Sequence, residues 1–155
     1  ENLLNKLEDG NFTVTIIRPP MIYGKDCVGN YKRLAKLALK LPFFPNVKNK
    51  RSMIYIDNLS ELIKLLIIDK AKRLYLPQNE EYVTTSEMVK LIAKAHNKKI
   101  MLTKFFNPFI KLLRDIQIIN KVFGNLVYEK SISTDDKNYN VVDFKESIYL
   151  TESGE

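Results

Sequence analysis

The stretch Ile17-Arg18-Pro19-Pro20-Met21-Ile22-Tyr23-Gly24 decides how this chain is read. It ends the run Phe12-Thr13-Val14-Thr15-Ile16-Ile17, which is rich in β-branched residues and nearly free of charge. Such a run predicts a strand buried on both faces. Pro19 and Pro20 close it, because neither can donate to a sheet ladder. Downstream, Gly29-Asn30 opens a helix with Tyr31, Leu34, Leu37, Ala38 and Leu41 along one side, and Asn30 reads as its N-cap. Pro42 and Pro45 stop that helix and force an extended loop. Met53-Ile54-Tyr55-Ile56 and Leu74-Tyr75-Leu76 read as short strands. Between them Asn58 and Glu61 have capping-box spacing ahead of the stripe Leu59, Leu62, Ile63, Leu66 and Ile67.

The same spacing recurs at Thr84 and Glu87 and at Asp143 and Glu146, and Asn107-Pro108 opens a helix carrying Phe109, Leu112, Leu113 and Ile116. Alternating strands and helices give an α/β fold with parallel pairing: residues 12–18 and 74–76 in one parallel sheet, joined by a crossover helix over about 58–69. At the start, Leu3, Leu4 and Leu7 read as the tail of a helix closed by Gly10-Asn11. A helix entered at residue 1 without a cap leads to the expectation that this is the later part of a longer chain. Residues 151–155 are expected to fray.

Charge is unevenly spread. The net formal charge is +7, but residues 129–155 hold seven acids against three bases, which leaves +11 on the first 128. Between 25 and 51 there are eight bases and one acid, Asp26. Such a stretch attracts polyanions or phosphorylated small molecules. A basic nucleic-acid-binding module is one reading of it, but no helix-turn-helix, RNP or zinc pattern supports that, and no nucleic-acid partner is expected. No apolar run is long enough to span a bilayer, so no membrane partner is expected. The single cysteine, Cys27, reads as an ordinary thiol in a reducing, cytoplasmic setting.

Several chemistries are missing. The five glycines, at 10, 24, 29, 124 and 154, form no G-x-G-x-x-G loop. None of the eight tyrosines has a lysine four residues later. No Cys/His cluster has metal-ligand spacing. His96, beside Lys94, Lys98 and Lys99, reads as a solvated surface residue. No complete active site is present, so the chain alone is expected to be inactive.

Two segments are nonetheless specific. Arg18-Pro19-Pro20-Met21-Ile22-Tyr23-Gly24, continuing to Gly29-Asn30-Tyr31, is followed by Arg51-Ser52-Met53-Ile54-Tyr55-Ile56-Asp57-Asn58-Leu59. In this order they resemble the NAD-dependent sugar-nucleotide epimerases and dehydratases of the extended short-chain dehydrogenase/reductase family. Phe123-Gly124-Asn125-Leu126 with Ser131 is similar to that family's late strand-then-serine segment.

The resemblance implies the last strands of a Rossmann-type parallel sheet over residues 1–80, with a small, mostly helical substrate-binding subdomain over 81–155. It implies NAD, held mainly by residues outside this chain, with Pro19, Pro20 and Met21 facing the nicotinamide end. It implies a UDP-sugar substrate, as in enzymes of surface-polysaccharide synthesis, while an uncovered edge on the 12–18 strand leads to the expectation of a homo-oligomer. By position, Asn30 would meet the diphosphate, with Tyr31 beside it among the substrate-binding residues, Pro42 to Phe44 the uracil, and Arg51 a phosphate, supplemented by Lys121. A non-catalytic regulatory relative of the same fold is the alternative. From the residues alone, Arg18 fits bonding to nearby carbonyls, and Tyr23, Tyr55, Phe43 and Phe44 fit core packing as well as a site.

Overall fold

The computed structural model describes residues 2–113, 115–133 and 137–153. The helices are α1 (Asn2–Asn5), α2 (Asn30–Lys40), α3 (Ile56–Ile68), α4 (Thr85–Ala95), α5 (Asn107–Leu112), α6 (Gln117–Phe123), α7 (Lys130–Ser133) and α8 (Phe144–Ser153). The strands are β1 (Ile16–Ile17), β2 (Met21–Tyr23), β3 (Phe43–Pro45), β4 (Met53–Tyr55), β5 (Leu74–Tyr75) and β6 (Met101–Thr103).

They form three parallel pairs, β1 with β5, β2 with β4 and β3 with β6. The two prolines explain the first change of partner. Arg18 still donates its N–H to Tyr75 at 2.9 Å. Pro19 and Pro20 then have no N–H to give, and the chain emerges at Met21 in register with Met53. The α/β class, the parallel pairing of β1 with β5 and the α3 crossover match the sequence reading.

Other expectations are corrected. The run from residue 12 is a strand only at Ile16–Ile17, and its side chains are half-buried rather than enclosed. Among the described residues β1 has a single strand neighbour. Pro42 and Pro45 do end α2, but the following segment is paired: Phe44 lies opposite Leu102. Helix α3 starts at Ile56 with Tyr55 as N-cap, not at Asn58. Asn58 is instead buried inside the helix. Its amide N–H donates to the Val142 carbonyl at 2.9 Å, and its carbonyl accepts the Val142 N–H at 3.0 Å. Only part of the α3 apolar stripe points inward: Leu59, Leu62 and Leu66 are buried, Ile63 and Ile67 exposed.

Leu126 makes a single bridge to Arg51 rather than a strand. Helix α8 continues to Ser153, while residues 154 and 155 lie outside the described residues. The caps at Thr84 and Asp143 form as read. Thr84 accepts the Glu87 N–H at 3.0 Å, and Asp143 accepts that of Glu146 at 2.9 Å.

Two apolar clusters hold the fold. The larger combines Tyr23, Tyr31, Leu34, Phe44, Met53, Met88, Ile92 and Ile148, from α2, α4, α8 and the strands between them. The smaller sets Ile54 and Tyr75 against Leu59, Leu62 and Leu66. Each buried Leu or Ile contributes about 1.5–3 kcal/mol relative to exposure. Gly24 is where the chain crosses α3. It sits at φ 155°, and a Cβ there would lie 2.3 Å from the Ile56 side chain.

Asn58→Ala should lower the unfolding free energy by about 1–3 kcal/mol, since it leaves two buried Val142 backbone groups unpaired. Ser60→Ala, on the exposed side of the same helix, should stay within about 0.5 kcal/mol. Urea titration of both variants measures the difference.

Candidate functional site

A cavity of about 290 Å³ opens between β2, α2, α4 and α6. Helix α2 supplies Asn30, Arg33, Leu34 and Leu37, an i, i+3, i+4, i+7 stripe on one face. Met21 enters from β2, Arg51 from the segment ahead of β4, and Lys121 from α6. Among the described residues three side chains of the lining are cationic, Arg33, Arg51 and Lys121, and none is a carboxylate.

Arg51 is the centre of this arrangement, and its backbone is held on both sides. Its N–H donates to Val83 at 2.9 Å and its carbonyl accepts from Val83 at 3.1 Å. The flanking groups pair with Leu126, Ser52 N–H to the Leu126 carbonyl at 2.8 Å and Leu126 N–H to that of Lys50 at 3.0 Å. The guanidinium donates to the Lys121 carbonyl at 2.8 Å. The residue is only 6% exposed. Among the described residues no carboxylate pairs with it. Burial pulls its pKa down from the usual arginine value. A guanidinium nonetheless stays charged in proteins, so it favours an anion in the adjoining cavity.

The 121–124 segment that shapes this wall is itself pinned. Asn49 donates to Thr85 Oγ1 at 2.8 Å and to the Gly124 carbonyl at 3.2 Å, and Thr85 Oγ1 donates to the Val122 carbonyl at 2.8 Å.

The structure thus gathers four residues expected from the sequence, Met21, Asn30, Arg51 and Lys121, around one cavity. Asn30 is the first helical residue of α2 rather than its cap, which is Gly29. Pro19 and Pro20 lie half-buried between β1 and β2. Tyr31, Pro42 and Phe44 do not line the cavity. Tyr31 is buried, stacked on Tyr23, and donates to Glu152 at 2.7 Å. Glu152 also holds His96 at 2.7 Å, so His96 is partnered rather than simply solvated. Phe44 is buried against Phe123, while Pro42 is exposed.

Arg33 and Thr85 were not singled out from the sequence. Arg33 could have been, because it stands three residues after Asn30 on the same helix. Thr85 gave no signal beyond a polar residue beside a cap.

Neither Cys27 nor the buried tyrosines form a reactive centre. Burial pushes the Cys27 thiol up, with Asp26 and Asp57 adding to it, so the nucleophilic thiolate is disfavoured. Tyr23 is enclosed, with its hydroxyl 2.5 Å from Ser147 Oγ and accepting from Asn79 at 3.0 Å. Burial pushes its pKa up to about 12. Among the described residues no cluster of His, Cys, Asp and Glu could hold a metal.

No family model matches the chain. Over 136 residues, 81% of its length, it is 32% identical to UDP-glucose 4-epimerase of Vibrio cholerae, of which it spans 41%. Over this stretch the chain is similar to part of a sugar-nucleotide epimerase. Its fold is similar to that of UDP-glucose 4-epimerase from Thermus thermophilus, solved with NAD, at TM-score 0.62 and 16% identity, over 90% of this chain and 45% of that one. UDP-glucuronic acid 4-epimerase from Bacillus cereus, also solved with NAD, gives TM-score 0.56 and 13% identity over 90% and 43%. The chain therefore spans less than half the length of these proteins, and its fold is similar to that of part of theirs.

Tyr23 gives a pH test of the core beneath the cavity. The folded state holds its proton more tightly than the unfolded chain, whose phenol titrates near 10. Its contribution is complete below pH 10 and is lost as pH rises through about 12. Burial also raises Tyr31 and Tyr55. Urea midpoints followed between pH 9 and 12, roughly the alkaline range of tyrosine, should fall steeply in the natural chain and less steeply in Tyr23→Phe.

Proposed function

We propose that this chain supplies the sugar-nucleotide grip of an NAD-dependent UDP-sugar epimerase, with the substrate diphosphate in the cavity between α2, α4 and α6. The observation that carries this reading is the buried Arg51 guanidinium without a carboxylate partner among the described residues, facing a cavity whose other charges are Arg33 and Lys121. A planar guanidinium gives paired, charge-assisted contacts to phosphate. Asn30 adds the first turn of α2, whose free N–H groups and dipole favour an anion. The apolar wall of Met21, Leu34 and Met88 excludes water and strengthens these contacts.

In this reading residues 1–80 complete the Rossmann-type sheet and 81–155 form the substrate-binding part. Pro19 to Met21 fit a contact with one end of NAD. The chain has no glycine loop to cradle the pyrophosphate, so the cofactor is held mainly by residues outside it. NAD, when bound, accepts a hydride from the sugar and returns it. This chain's residues hold and orient the nucleotide, so the 155 residues alone are inactive. Epimerases among its relatives favour epimerisation over dehydration.

Titration calorimetry with UDP tests the assignment. Arg51→Ala should weaken binding by about 30- to 1000-fold, and Arg51→Lys should recover part of it. Because Arg51 also braces the Lys121 carbonyl, the deciding variants are Arg33→Ala and Lys121→Ala, whose side chains are exposed. Each should cost about tenfold in UDP affinity with the melting temperature unchanged. Unaltered UDP affinity in both would sink the diphosphate assignment.

A further inference from the structure

Helix α5 has no buried residue. From 105 to 116 six large apolar side chains are exposed: Phe105, Phe106, Phe109, Leu112, Leu113 and Ile116. Phe105 stands edge-on to Phe106 with ring centres 5.5 Å apart and 6.5 Å from Phe109, so the three rings form one surface. Single exposed apolar residues need no explanation, but a contiguous group does.

The patch adjoins a strongly basic region. A cavity of about 590 Å³ between the 46–49 segment, α5 and α6 has Lys48, Lys104 and Lys111 as its charged lining residues among the described residues. From 98 to 123 the sequence holds six bases against the single acid Asp115. Within α5 the two properties are segregated: Lys111 faces this cavity, while Phe109 and Leu112 are 58% and 78% exposed.

Exposed apolar residues also occur elsewhere, at Phe12 ahead of β1 and at Leu74 in β5, but those lie outside the α5–α6 segment. A protein interface enriches phenylalanine and depletes lysine at its centre. Lysines beside an aromatic and aliphatic face match an anionic bilayer, where the rings enter the acyl boundary and the ammonium groups meet lipid phosphates.

We infer that the α5–α6 face seats this protein on an anionic lipid surface, with Phe105, Phe109 and Leu112 at the acyl boundary and Lys104 and Lys111 at the headgroups. The helices lie in the plane of the interface. Among the described residues no helix is long and apolar enough to cross a membrane. The sequence expectation of no membrane partner rested on run length, which detects spanning segments and not interfacial ones.

Vesicle co-sedimentation tests this. The protein should bind vesicles made from an equal mixture of phosphatidylcholine and phosphatidylglycerol, release from them as salt rises, and ignore phosphatidylcholine alone. Lys104→Ala with Lys111→Ala should weaken binding on the order of 30-fold, at about fivefold for each lysine. Phe105→Ala, Phe109→Ala and Leu112→Ala together should weaken it about 100-fold or more. Ile67→Ala with Ile68→Ala, exposed on α3, should leave it unchanged, and UDP affinity should be the same in all four proteins. If the triple variant fails to fold, the lysine pair and the salt dependence still decide. Absence of sedimentation, equal binding to neutral vesicles, or full retention by the lysine pair would overturn the inference. So would loss of self-association in the triple variant without any vesicle binding, which would assign the face to a second copy.

Discussion

The structure depends on where Arg51 is held. Residues 50–52 join two remote pieces of chain: the Arg51 N–H and carbonyl pair with Val83, while its neighbours pair with Leu126 and its guanidinium reaches the Lys121 carbonyl in the 121–126 segment. The result is a positive charge taken out of water without a negative one beside it. Desolvating an ion costs several kcal/mol, and neutral carbonyls recover only part of that. The fold tolerates this because backbone bridges on both sides fix the position, and because the charge opens onto a cavity instead of apolar packing. An anion in that cavity would relieve the cost, and on the proposed function that is where selectivity for a diphosphate would arise.

The other contacts around the cavity serve to keep it from relaxing. Asn49 and Thr85 tie the 122–124 carbonyls to the start of α4, which stops the α6 segment from closing over the guanidinium. On the opposite side Tyr23 ties β2 to Asn79 and to Ser147 of α8, while Tyr31, Glu152 and His96 link α2, α8 and α4. Tyr31 therefore supports the α2 face from behind while its neighbour Asn30 meets the cavity. Adjacent helical residues point about 100° apart, and a stretch such as Asn30-Tyr31 divides its work accordingly.

Much of this was legible in the sequence, and what was missed has a common cause. Pro19-Pro20 marked the end of β1, and the Thr84 and Asp143 caps were found, because each depends on atoms within a few residues. Arg51 stood out through its place, after Gly29-Asn30-Tyr31 and shortly before Met53-Ile54-Tyr55, in the order of motifs that carried the resemblance. Asn58 misled for the opposite reason. Its local spacing offers a capping box, but Val142, which lies 84 residues away, offers its amide two hydrogen bonds inside the fold. Phe44 and Tyr31 were drawn into the site by their neighbours along the chain, whereas their rings fill the core against Phe123 and Tyr23. Arg33 was hidden among the lysines of α2, and only the helical repeat from Asn30 separates it from them.

The basic charge illustrates the same distinction between composition and placement. A net charge of +7 spread evenly would say little about ligands. Here the cations fall into two settings with different surroundings. Around the first cavity exposed Arg33 and Lys121 flank buried Met88, buried Leu34 and a braced, buried guanidinium, which favours one compact anion. Beside α5 the lysines meet exposed phenylalanine rings and an open cavity, which favours an extended surface that supplies many phosphates and an apolar boundary at once. Salt should separate the two. Screening falls hardest on exposed charges and least on buried ones, so contacts made through Arg51 persist at ionic strengths that remove those made through Lys104 and Lys111. The depth of each cation, more than the number of them, sets what this chain holds.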